Sequence, residues 1–467
     1  MKGESVRIPS TVPVALSAIL ILGTIGYAVA DAYDVVPGIL TNTPIAVEQK
    51  LPQMPPLSPT AELPERAINP DAPLPDQAKL KAATEKLNGH VSAAGGRLAI
   101  SLIDAHTGEP VYSYHEAVPM TPASTTKLFT AFSAIKELDP KATFTTTTAL
   151  AGNTLFLKSN GDITMAAGET DPQGVLGHAG LATLAHKTAV ALRGKVDFVQ
   201  LVVDDTAIAG PERNPAWTAQ DVDDYAGNVT DIAIQQGRRD PNHAKYFSHT
   251  ALADAAGVFV KALEAEGVTV RGHFSTGAQT PGATVLAEEQ SASFGQLLHY
   301  MDKTSDNTLA EHFCRLMANP LGATADFTSP PAQIVKQYAA QGLNMEGVVL
   351  NDCSGLDRDN RITPQALTAI IKDVLDQKEP QARMALSAFP VASLDGTLQQ
   401  RLSNSNTAGM VRAKTGSLPS VRSLAGVLRT SSGRDLIFAV MIDDCEKDKV
   451  WGMKQRIDEF LHTVVTG

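Results

Sequence analysis

Alternating apolar positions predict β-strands near both ends of the chain. At 98–102, large apolar residues alternate with smaller ones, and a turn separates them from a second apolar stretch at 111–114. Near the C-terminus, 410–413 is typical of a strand, and 423–428 followed by 436–442 predicts a hairpin. We expect strands from both ends of the chain to share one antiparallel sheet with helices packed against it.

Helical periodicity occupies the intervening segments. One helix is expected from Asp76 to Leu87, ended by Asn88-Gly89, and another from Pro122 to Lys136, because proline suits a first helical turn. Helical periodicity returns after Ser293. A C-terminal amphipathic helix is predicted from one apolar stripe: Val450, Met453, Ile457, Phe460, Leu461 and Val464. The middle of the chain, rich in Thr, Ala, Gly and Val, favours strands such as 198–203. The predicted fold class is therefore α+β.

The N-terminal pattern predicts export. Residues 11–30 contain no charged side chain and could cross a bilayer as a helix. Lys2 and Arg7 precede this stretch and Asp31 follows it, so the positive-inside rule leaves the bulk of the chain outside the cytoplasm. Ala28-Val29-Ala30 is typical of a signal peptidase site. A membrane anchor and a cleaved signal are both open, with a buried core helix as a third alternative.

A proline-rich stretch follows the apolar segment. Between Pro37 and Pro75 lie ten of the 28 prolines of the chain. Because proline blocks helices and central strands, this stretch is expected to be an extended tether or an arm wrapped on the body.

Composition and charge narrow the class of protein. With 43% hydrophobic and 19% charged residues, the chain is not expected to be disordered. The formal net charge of −11 argues against nucleic-acid binding, which needs a clustered basic surface. The three cysteines leave at least one unpaired and form no Cys-x-x-Cys pair, so a structural zinc site is not expected. Cys314 is predicted to be a buried apolar residue, and Glu311-His312 lacks the second histidine of a helical zinc site.

Candidate chemistry begins at Ser124-Thr125-Thr126-Lys127. Residues three apart on a helix share a face, so the Lys127 amine could accept the Ser124 proton if that amine were uncharged. Burial or neighbouring cations would have to depress the pKa of Lys127 for this to happen. Ser133 and Lys136 have the same spacing, and there a solvated helix face is the simpler interpretation.

Two further motifs strengthen the first. Ser305-Asp306-Asn307 and Lys414-Thr415-Gly416-Ser417 follow it in chain order, the latter after a predicted strand. Ala413 precedes Lys414 where a phosphate-binding P-loop needs glycine, so a nucleotide site is not indicated. The ordered set Ser-x-x-Lys, Ser-x-Asn and Lys-Thr-Gly is the informative signal.

With these motifs the sequence resembles the penicillin-binding proteins, serine acyl-transferases of the DD-peptidase and β-lactamase superfamily. Ser305 follows Ser124 by 181 positions, a long separation of the first two motifs. In this the chain resembles the class C low-molecular-mass group, the D-alanyl-D-alanine carboxypeptidase/endopeptidases, which carry extra domains between these motifs. The segments 352–361, 392–398 and 203–205 also resemble segments of that group. Cys353 and Asp357 depart from its usual glycine and serine.

The N-terminal pattern and the resemblance, which covers most of the chain from about Leu98 onward, together predict a domain organisation. A signal peptide or anchor would occupy 1–35 and a Pro-rich linker 36–76. A DD-peptidase/β-lactamase-like domain, an antiparallel sheet flanked by helices plus a helical cluster, would comprise 77–145 and 285–467. A β-rich inserted domain would occupy 146–284.

The resemblance also implies roles for particular residues. Five would be catalytic, with Ser124 as the nucleophile: Ser124, Lys127, Ser305, Asn307 and Lys414. Three would bind the substrate around its terminal carboxylate: Thr415, Gly416 and Ser417. Three would contact the side chain of the peptide: Trp217, Asp221 and Arg358. The alternatives are core or domain-interface packing for Trp217 and a surface or structural ion pair for Arg358, and the neighbouring Asp223 or Asp224 could serve in place of Asp221. No metal or cofactor is implied.

The implied function is a D-Ala-D-Ala carboxypeptidase, with endopeptidase activity open, acting on peptidoglycan stem peptides and inhibited by β-lactam antibiotics. One alternative is a β-lactamase, for which Glu169 would be the nearest candidate for activating a water. Another is a non-catalytic penicillin-binding or sensor module. The absence of Gly-x-Ser-x-Gly counts against an α/β-hydrolase.

Overall fold

The computed structural model describes residues 71–220, 222–240, 245–377 and 380–467. The predicted signal or anchor and nearly all of the proline-rich linker therefore lie outside the described residues. Among the residues that are described, no helix is both long and apolar enough to span a bilayer.

Helices and strands alternate along the described chain. The helices are α1 Gln77–Ala93, α2 Lys127–Glu137, α3 Leu181–Leu192, α4 Pro215–Ala219, α5 Ala251–Ala265, α6 Phe294–Thr304, α7 Asn307–Leu316, α8 Ser329–Ala340, α9 Pro364–Asp376, α10 Pro380–Ser387 and α11 Met453–Thr466. The strands are β1 Arg97–Asp104, β2 Pro110–Tyr114, β3 Thr143–Ala151, β4 Thr154–Ser159, β5 Asp162–Met165, β6 Gln200–Asp204, β7 Ile232–Ile234, β8 Ser275–Thr276, β9 Thr284–Ser293, β10 Val411–Leu418, β11 Val421–Arg429 and β12 Asp435–Asp443.

Strands from both ends of the chain form one antiparallel sheet, as predicted. Its order is β10-β11-β12-β1-β2, so β1 from the N-terminal part pairs with β12 from the C-terminal part. Because side chains alternate across a strand, Leu98 and Ile100 face one apolar cluster with α1 and α11. Ala99 faces a second cluster that contains Phe129 of α2. The central strands of the sheet are therefore buried on both faces.

Two predicted boundaries differ from the structure. Helix α1 continues past Asn88-Gly89 to Ala93, because Val91 packs into the same buried cluster as Leu87, one turn earlier. Strand β10 extends beyond 413 to Leu418, so the Lys-Thr-Gly motif lies inside the strand. Its pairing with β11 aligns Lys414 with Ala425 and Gly416 with Ser423. In both cases tertiary packing extends an element beyond its local sequence signal.

The middle of the chain builds a second five-stranded sheet of order β8-β6-β4-β3-β9. Strands β4, β6 and β8 pair in parallel, whereas β3 pairs antiparallel with β4 and β9. Helices α3 and α5 cover this sheet through Leu184 and Phe259 in a separate apolar cluster. The sequence indicated the strands here but not these two helices, whose alanine-rich faces are buried by the sheet.

The main apolar cluster extends across the predicted domain boundary. Phe129 of α2 and Phe313 of α7 belong to the same cluster as Ile163 and Ala233, which lie between 146 and 284. The boundaries of an inserted domain stay a prediction, and the packing shows that this segment shares its core with the rest of the chain.

A disulfide joins Cys314 near the end of α7 to Cys353, 39 positions later. Cys314 is buried, as predicted for a small apolar residue, but its sulfur is bonded. Cys445 is a buried free thiol. The pairing was not evident from the sequence because neither spacing nor composition brings these two cysteines together.

Replacing both bridged cysteines (C314A/C353A) should lower the free energy of unfolding by about 4 kcal/mol, because the bond restricts a 39-residue loop in the unfolded chain. Urea unfolding of the oxidised protein and the variant measures this difference. C445A is the matched control and should lose only the packing of one sulfur. Finding three reactive thiols in the unreduced, denatured wild-type protein would contradict the bridge.

Candidate active site

Ser124 lies in a short 3₁₀ turn, Ala123–Thr126, that leads directly into α2. Side chains three apart nearly eclipse one another in a 3₁₀ turn, which brings Ser124 close to Lys127. Two buried hydroxyls stabilise the turn: Thr125 donates to the Pro122 carbonyl at 2.8 Å and Thr126 to the Ala123 carbonyl at 2.9 Å. Ser124 is half-buried, whereas the next three residues are buried.

The Lys127 side chain is completely buried, and its amine contacts three oxygen atoms. Nζ donates to Ser124 Oγ at 3.1 Å, to Asn307 Oδ1 at 2.6 Å and to the Ser354 carbonyl at 2.6 Å. The Asn307 side chain is oriented in turn, because its Nδ2 donates to the Tyr225 carbonyl at 2.9 Å. The first two sequence motifs therefore meet at one amine.

Burial lowers the pKa of Lys127 from its usual 10.5 to about 8. The negative charges of four neighbouring carboxyl groups oppose this effect: Asp352, Glu311, Asp306 and Asp302. A lysine with this pKa loses its proton much more readily at neutral pH than an exposed one. The amine can therefore serve as a proton acceptor for the hydroxyl beside it.

The third motif meets the second at another buried amine. Lys414 Nζ donates to Ser305 Oγ at 2.8 Å and to the Thr415 carbonyl at 3.1 Å. Ser305 ends α6 in the left-handed conformation (φ 62°), which turns the chain sharply before α7. Burial lowers the pKa of Lys414, and the nearby charge of Lys127 lowers it further. Burial raises the pKa of Asp302, which lies near both lysines.

Two glycines allow the backbone to approach the Ser124 turn closely. A Cβ on Gly355 would lie 1.9 Å from the Ala123 carbonyl oxygen, and one on Gly416 would lie 2.0 Å from Ser423 Oγ. Gly355 also has a positive φ of 84°. Any side chain at either position would therefore push its segment away from the turn. The two glycines account for the close packing of β10 and of the 352–355 segment against Ser124.

Comparison with known proteins identifies the family. The family model described as the D-Ala-D-Ala carboxypeptidase 3 (S13) family matches residues 78–245 and 235–464. The chain belongs to this family. The predicted class of enzyme, a serine-type D-Ala-D-Ala carboxypeptidase, is thereby confirmed.

Individual relatives agree with this assignment. The chain is 31% identical over 405 residues to carboxypeptidase DacB of Mycolicibacterium smegmatis, covering 83% of this chain and 85% of the relative. It is also 31% identical over 408 residues to a carboxypeptidase of Mycobacterium tuberculosis, covering 85% of this chain and 86% of the relative. Penicillin-binding protein 4 of Haemophilus influenzae has the same fold, with a TM-score of 0.67 at 19% identity over 82% of this chain and 99% of that one. The predicted α+β fold class is confirmed.

The residues expected to contact a substrate side chain do not form one exposed cluster. Trp217 of α4 has no exposed surface; it packs edge-on against Phe327 and donates from Nε1 to Asp352 Oδ2 at 3.1 Å. The structure therefore shows the packing alternative for Trp217. Arg358 is half-buried, and its guanidinium makes no ion pair with any residue that the structure describes. Asp221 lies outside the described residues.

The remaining predicted substrate-binding residues lie in β10. Thr415 is half-buried and donates to Thr397 Oγ1 at 2.8 Å, and Ser417 is exposed. Gly416 is buried between them. The alternation of β10 thus places the Thr415 and Ser417 side chains on the face opposite to the Lys414 side chain.

The sequence predicts no role at this site for two buried carboxyl groups, those of Asp352 and Glu311. Asp352 accepts hydrogen bonds from the backbone N–H groups of Gly355 (2.8 Å) and Asp357 (2.7 Å), besides the one from the indole Nε1 of Trp217. Glu311 accepts from the N–H groups of Cys353 and Ser354. Glu311 follows Asn307 by one helical turn, a spacing that would have indicated a shared face.

The Glu311-His312 pair does not form a metal site in the described part of the chain. His312 Nε2 lies 2.7 Å from the Gly161 carbonyl, and burial lowers the pKa of His312 to about 4. No group of three or more potential ligands converges among the described residues.

We expect acylation of this enzyme by a fluorescent penicillin to accelerate as the pH rises through about 8. Below this value Lys127 is protonated and cannot accept a proton, so the rate falls in acid. Single-turnover labelling between pH 5.5 and 9.5 measures the midpoint. K127R, which stays charged throughout, should show no labelling in this range. A rate that is flat across the range would contradict Lys127 as the titrating base.

Proposed function

We propose that the chain hydrolyses the bond between the two terminal D-alanines of peptidoglycan stem peptides through an acyl-enzyme on Ser124. The hydrogen bond between the Ser124 hydroxyl and the buried Lys127 amine is the observation that carries this proposal. It joins a nucleophile and a base at the spacing that proton transfer requires. Membership of the S13 family supports the substrate class.

In the acylation step, Ser124 Oγ attacks the carbonyl carbon of the penultimate D-alanine while Lys127 accepts its proton. The tetrahedral intermediate carries a negative oxygen, which we assign to the backbone N–H groups of Ser124 and Ser417; each such donor contributes about 10²–10³-fold in rate. The C–N bond then breaks. Ser305 and Lys414 relay the proton that Lys127 took from Ser124 to the departing D-alanine amine, a role that the 2.8 Å contact between them supports.

Substrate binding uses the groups around this pair. We assign the Thr415 and Ser417 hydroxyls, which share one face of β10, to hydrogen bonds with the terminal carboxylate. Lys414 lies on the opposite face and contributes only the positive charge of its amine from behind the strand. Asn307 orients Lys127. To turn its amide towards the substrate, Asn307 would have to break the hydrogen bond from its Nδ2 to the Tyr225 carbonyl. Gly416 leaves room for the close approach of β10 to the Ser124 turn.

After D-alanine has left, water attacks the ester on Ser124, and hydrolysis of this ester completes the cycle. A cross-linked peptide carries its second peptide on the leaving amine instead of a free D-alanine. The same steps would therefore cut cross-links, and we include endopeptidase activity in the proposal. The half-buried guanidinium of Arg358, which forms no ion pair with a residue that the structure describes, supports a contact with an anionic group of the stem peptide, with Asp221 as the candidate for its cationic group. Trp217 contributes by supporting the 352–358 segment.

The proposal extends to compartment and inhibitors. β-Lactams resemble the D-Ala-D-Ala terminus and would acylate Ser124; the name of the Haemophilus influenzae relative records penicillin binding by that protein. Residues 1–35 would act as a membrane anchor or a cleaved signal, and 36–76 as a linker, which places the enzyme in the cell envelope. Residues 146–284 would form an inserted domain.

Replacing the nucleophile should abolish covalent labelling. S124A is expected to bind no fluorescent penicillin covalently and to release no D-alanine from a pentapeptide ending in D-Ala-D-Ala, because no other hydroxyl contacts Lys127 in the described structure. Denaturing gels and a D-alanine assay measure the two activities. S133A is the control and should label normally, because Ser133 lies in α2 away from Lys127 Nζ. Ser133 is buried there and not on the solvated face expected from the sequence. Labelling of S124A would refute the assignment.

Comparing two substrates separates a peptidase from a β-lactamase. We expect D-alanine release from the pentapeptide to continue over many turnovers. Nitrocefin should give about one equivalent of hydrolysis per enzyme before turnover slows, because Glu169, the candidate for activating a water, is exposed and accepts a hydrogen bond from Thr183. Sustained rapid nitrocefin turnover without D-alanine release would favour the β-lactamase alternative.

A further inference from the structure

One partner of the Lys127 amine is a backbone carbonyl, that of Ser354, and its position depends on the conformation of the 352–355 segment. The Ser354 carbonyl and the Gly355 N–H belong to one planar peptide unit and point in opposite directions. The Gly355 N–H donates to Asp352 Oδ1 at 2.8 Å. This peptide plane is thus fixed at one end by Asp352 and meets Lys127 at the other.

The preceding peptide plane is also fixed at both ends. Its carbonyl, that of Cys353, accepts a hydrogen bond from Thr130 Oγ1 at 2.7 Å. Its N–H, that of Ser354, donates to Glu311 Oε1 at 2.7 Å, and the same oxygen accepts from the Cys353 N–H at 3.1 Å. Glu311 therefore holds two consecutive amides immediately before the carbonyl that Lys127 contacts.

The same helix supplies another Lys127 partner directly. Asn307 and Glu311 lie four positions apart on α7 and share a face. Asn307 contacts the amine through Oδ1, and Glu311 accepts from the Ser354 N–H, in the peptide unit just before the carbonyl that contacts the amine. Helix α7 thus supplies one of the three oxygens around Lys127 and contacts the amides that precede another, and the Cys314–Cys353 disulfide ties it covalently to the same segment.

Glu311 is a buried carboxyl whose hydrogen-bond partners are the backbone amides of Cys353 and Ser354. Its side chain is 3% exposed and forms no ion pair with a described residue. A buried carboxyl without an ion pair costs free energy that hydrogen bonds to backbone amides only partly offset. An apolar side chain would pack here more cheaply, but it could not fix the two amides.

We propose that Glu311 is a positioning residue for acylation: it fixes the Cys353 and Ser354 amides and so places the Ser354 carbonyl that orients the Lys127 amine. This inference rests on the proposed role of Lys127 as the base for Ser124. It assigns to Glu311 no contact with substrate. What matters is the reach of its Oε1 oxygen, and a neutral acceptor of the same length should serve as well.

Two conservative variants separate reach from charge. E311Q keeps an acceptor oxygen at the same distance and replaces the carboxyl, whose pKa burial raises to about 8, by a neutral amide. E311D keeps a carboxyl and withdraws the oxygen by one methylene. We expect E311Q to be acylated by a fluorescent penicillin within about fivefold of the wild-type rate. E311D should be slower by on the order of 10²-fold, the effect of a displacement of about 1 Å at a reacting group. A purely structural role would not be rescued selectively by glutamine.

Single-turnover labelling of the full chain at pH 8 gives the rates, and thermal unfolding checks that each variant is folded. E264D, an exposed glutamate on α5, is the matched control and should match the wild type. If E311D does not fold, T130V replaces it. That variant removes the hydrogen bond at the other end of the Ser354 amide plane and should slow acylation about tenfold, with T130S restoring the rate.

The outcomes are distinct. The positioning role of Glu311 would be overturned, with the proposed function intact, if E311D were acylated at the wild-type rate or if E311Q were as slow as E311D. If T130V is used in place of E311D, a wild-type rate in T130V would have the same meaning. If the wild-type protein itself were not acylated, the proposed function and this inference would both be wrong.

Discussion

The Lys127 amine is removed from water and surrounded by three oxygens, and each neighbouring element of the site serves that arrangement. Burial favours the uncharged amine, and the Ser124 hydroxyl lies 3.1 Å away. Four carboxyl groups nearby favour the charged amine. The resulting pKa of about 8 leaves the proton only loosely bound at neutral pH, which suits a base that must accept a proton and later return it.

The fold delivers this arrangement by bringing distant segments against one short turn. The antiparallel sheet joins strands from both ends of the chain, and β10 carries Lys414 beside Ser305. The lack of a side chain at Gly355 and Gly416 lets their segments approach the Ser124 turn. The geometry of the active site therefore depends on these two glycines as well as on the reactive side chains.

The middle segment takes part in the site as well. The Tyr225 carbonyl orients Asn307, and Trp217 donates to Asp352, which in turn fixes the Gly355 amide. Because these contacts run from the middle segment to residues around Lys127, changes in that segment would be transmitted to the base. Its shared apolar cluster with α2 and α7 makes the connection rigid.

The sequence alone determined the family, the fold class, the antiparallel sheet and the three motifs, because spacing and periodicity are local properties that a chain carries before it folds. Tertiary structure decided that α1 continues to Ala93 and that Trp217 is buried. It also decided the pairing of Cys314 with Cys353 and the contact of Glu311 with two backbone amides. These features depend on which surfaces meet after folding, and no local pattern specifies which carbonyl a buried amine will contact.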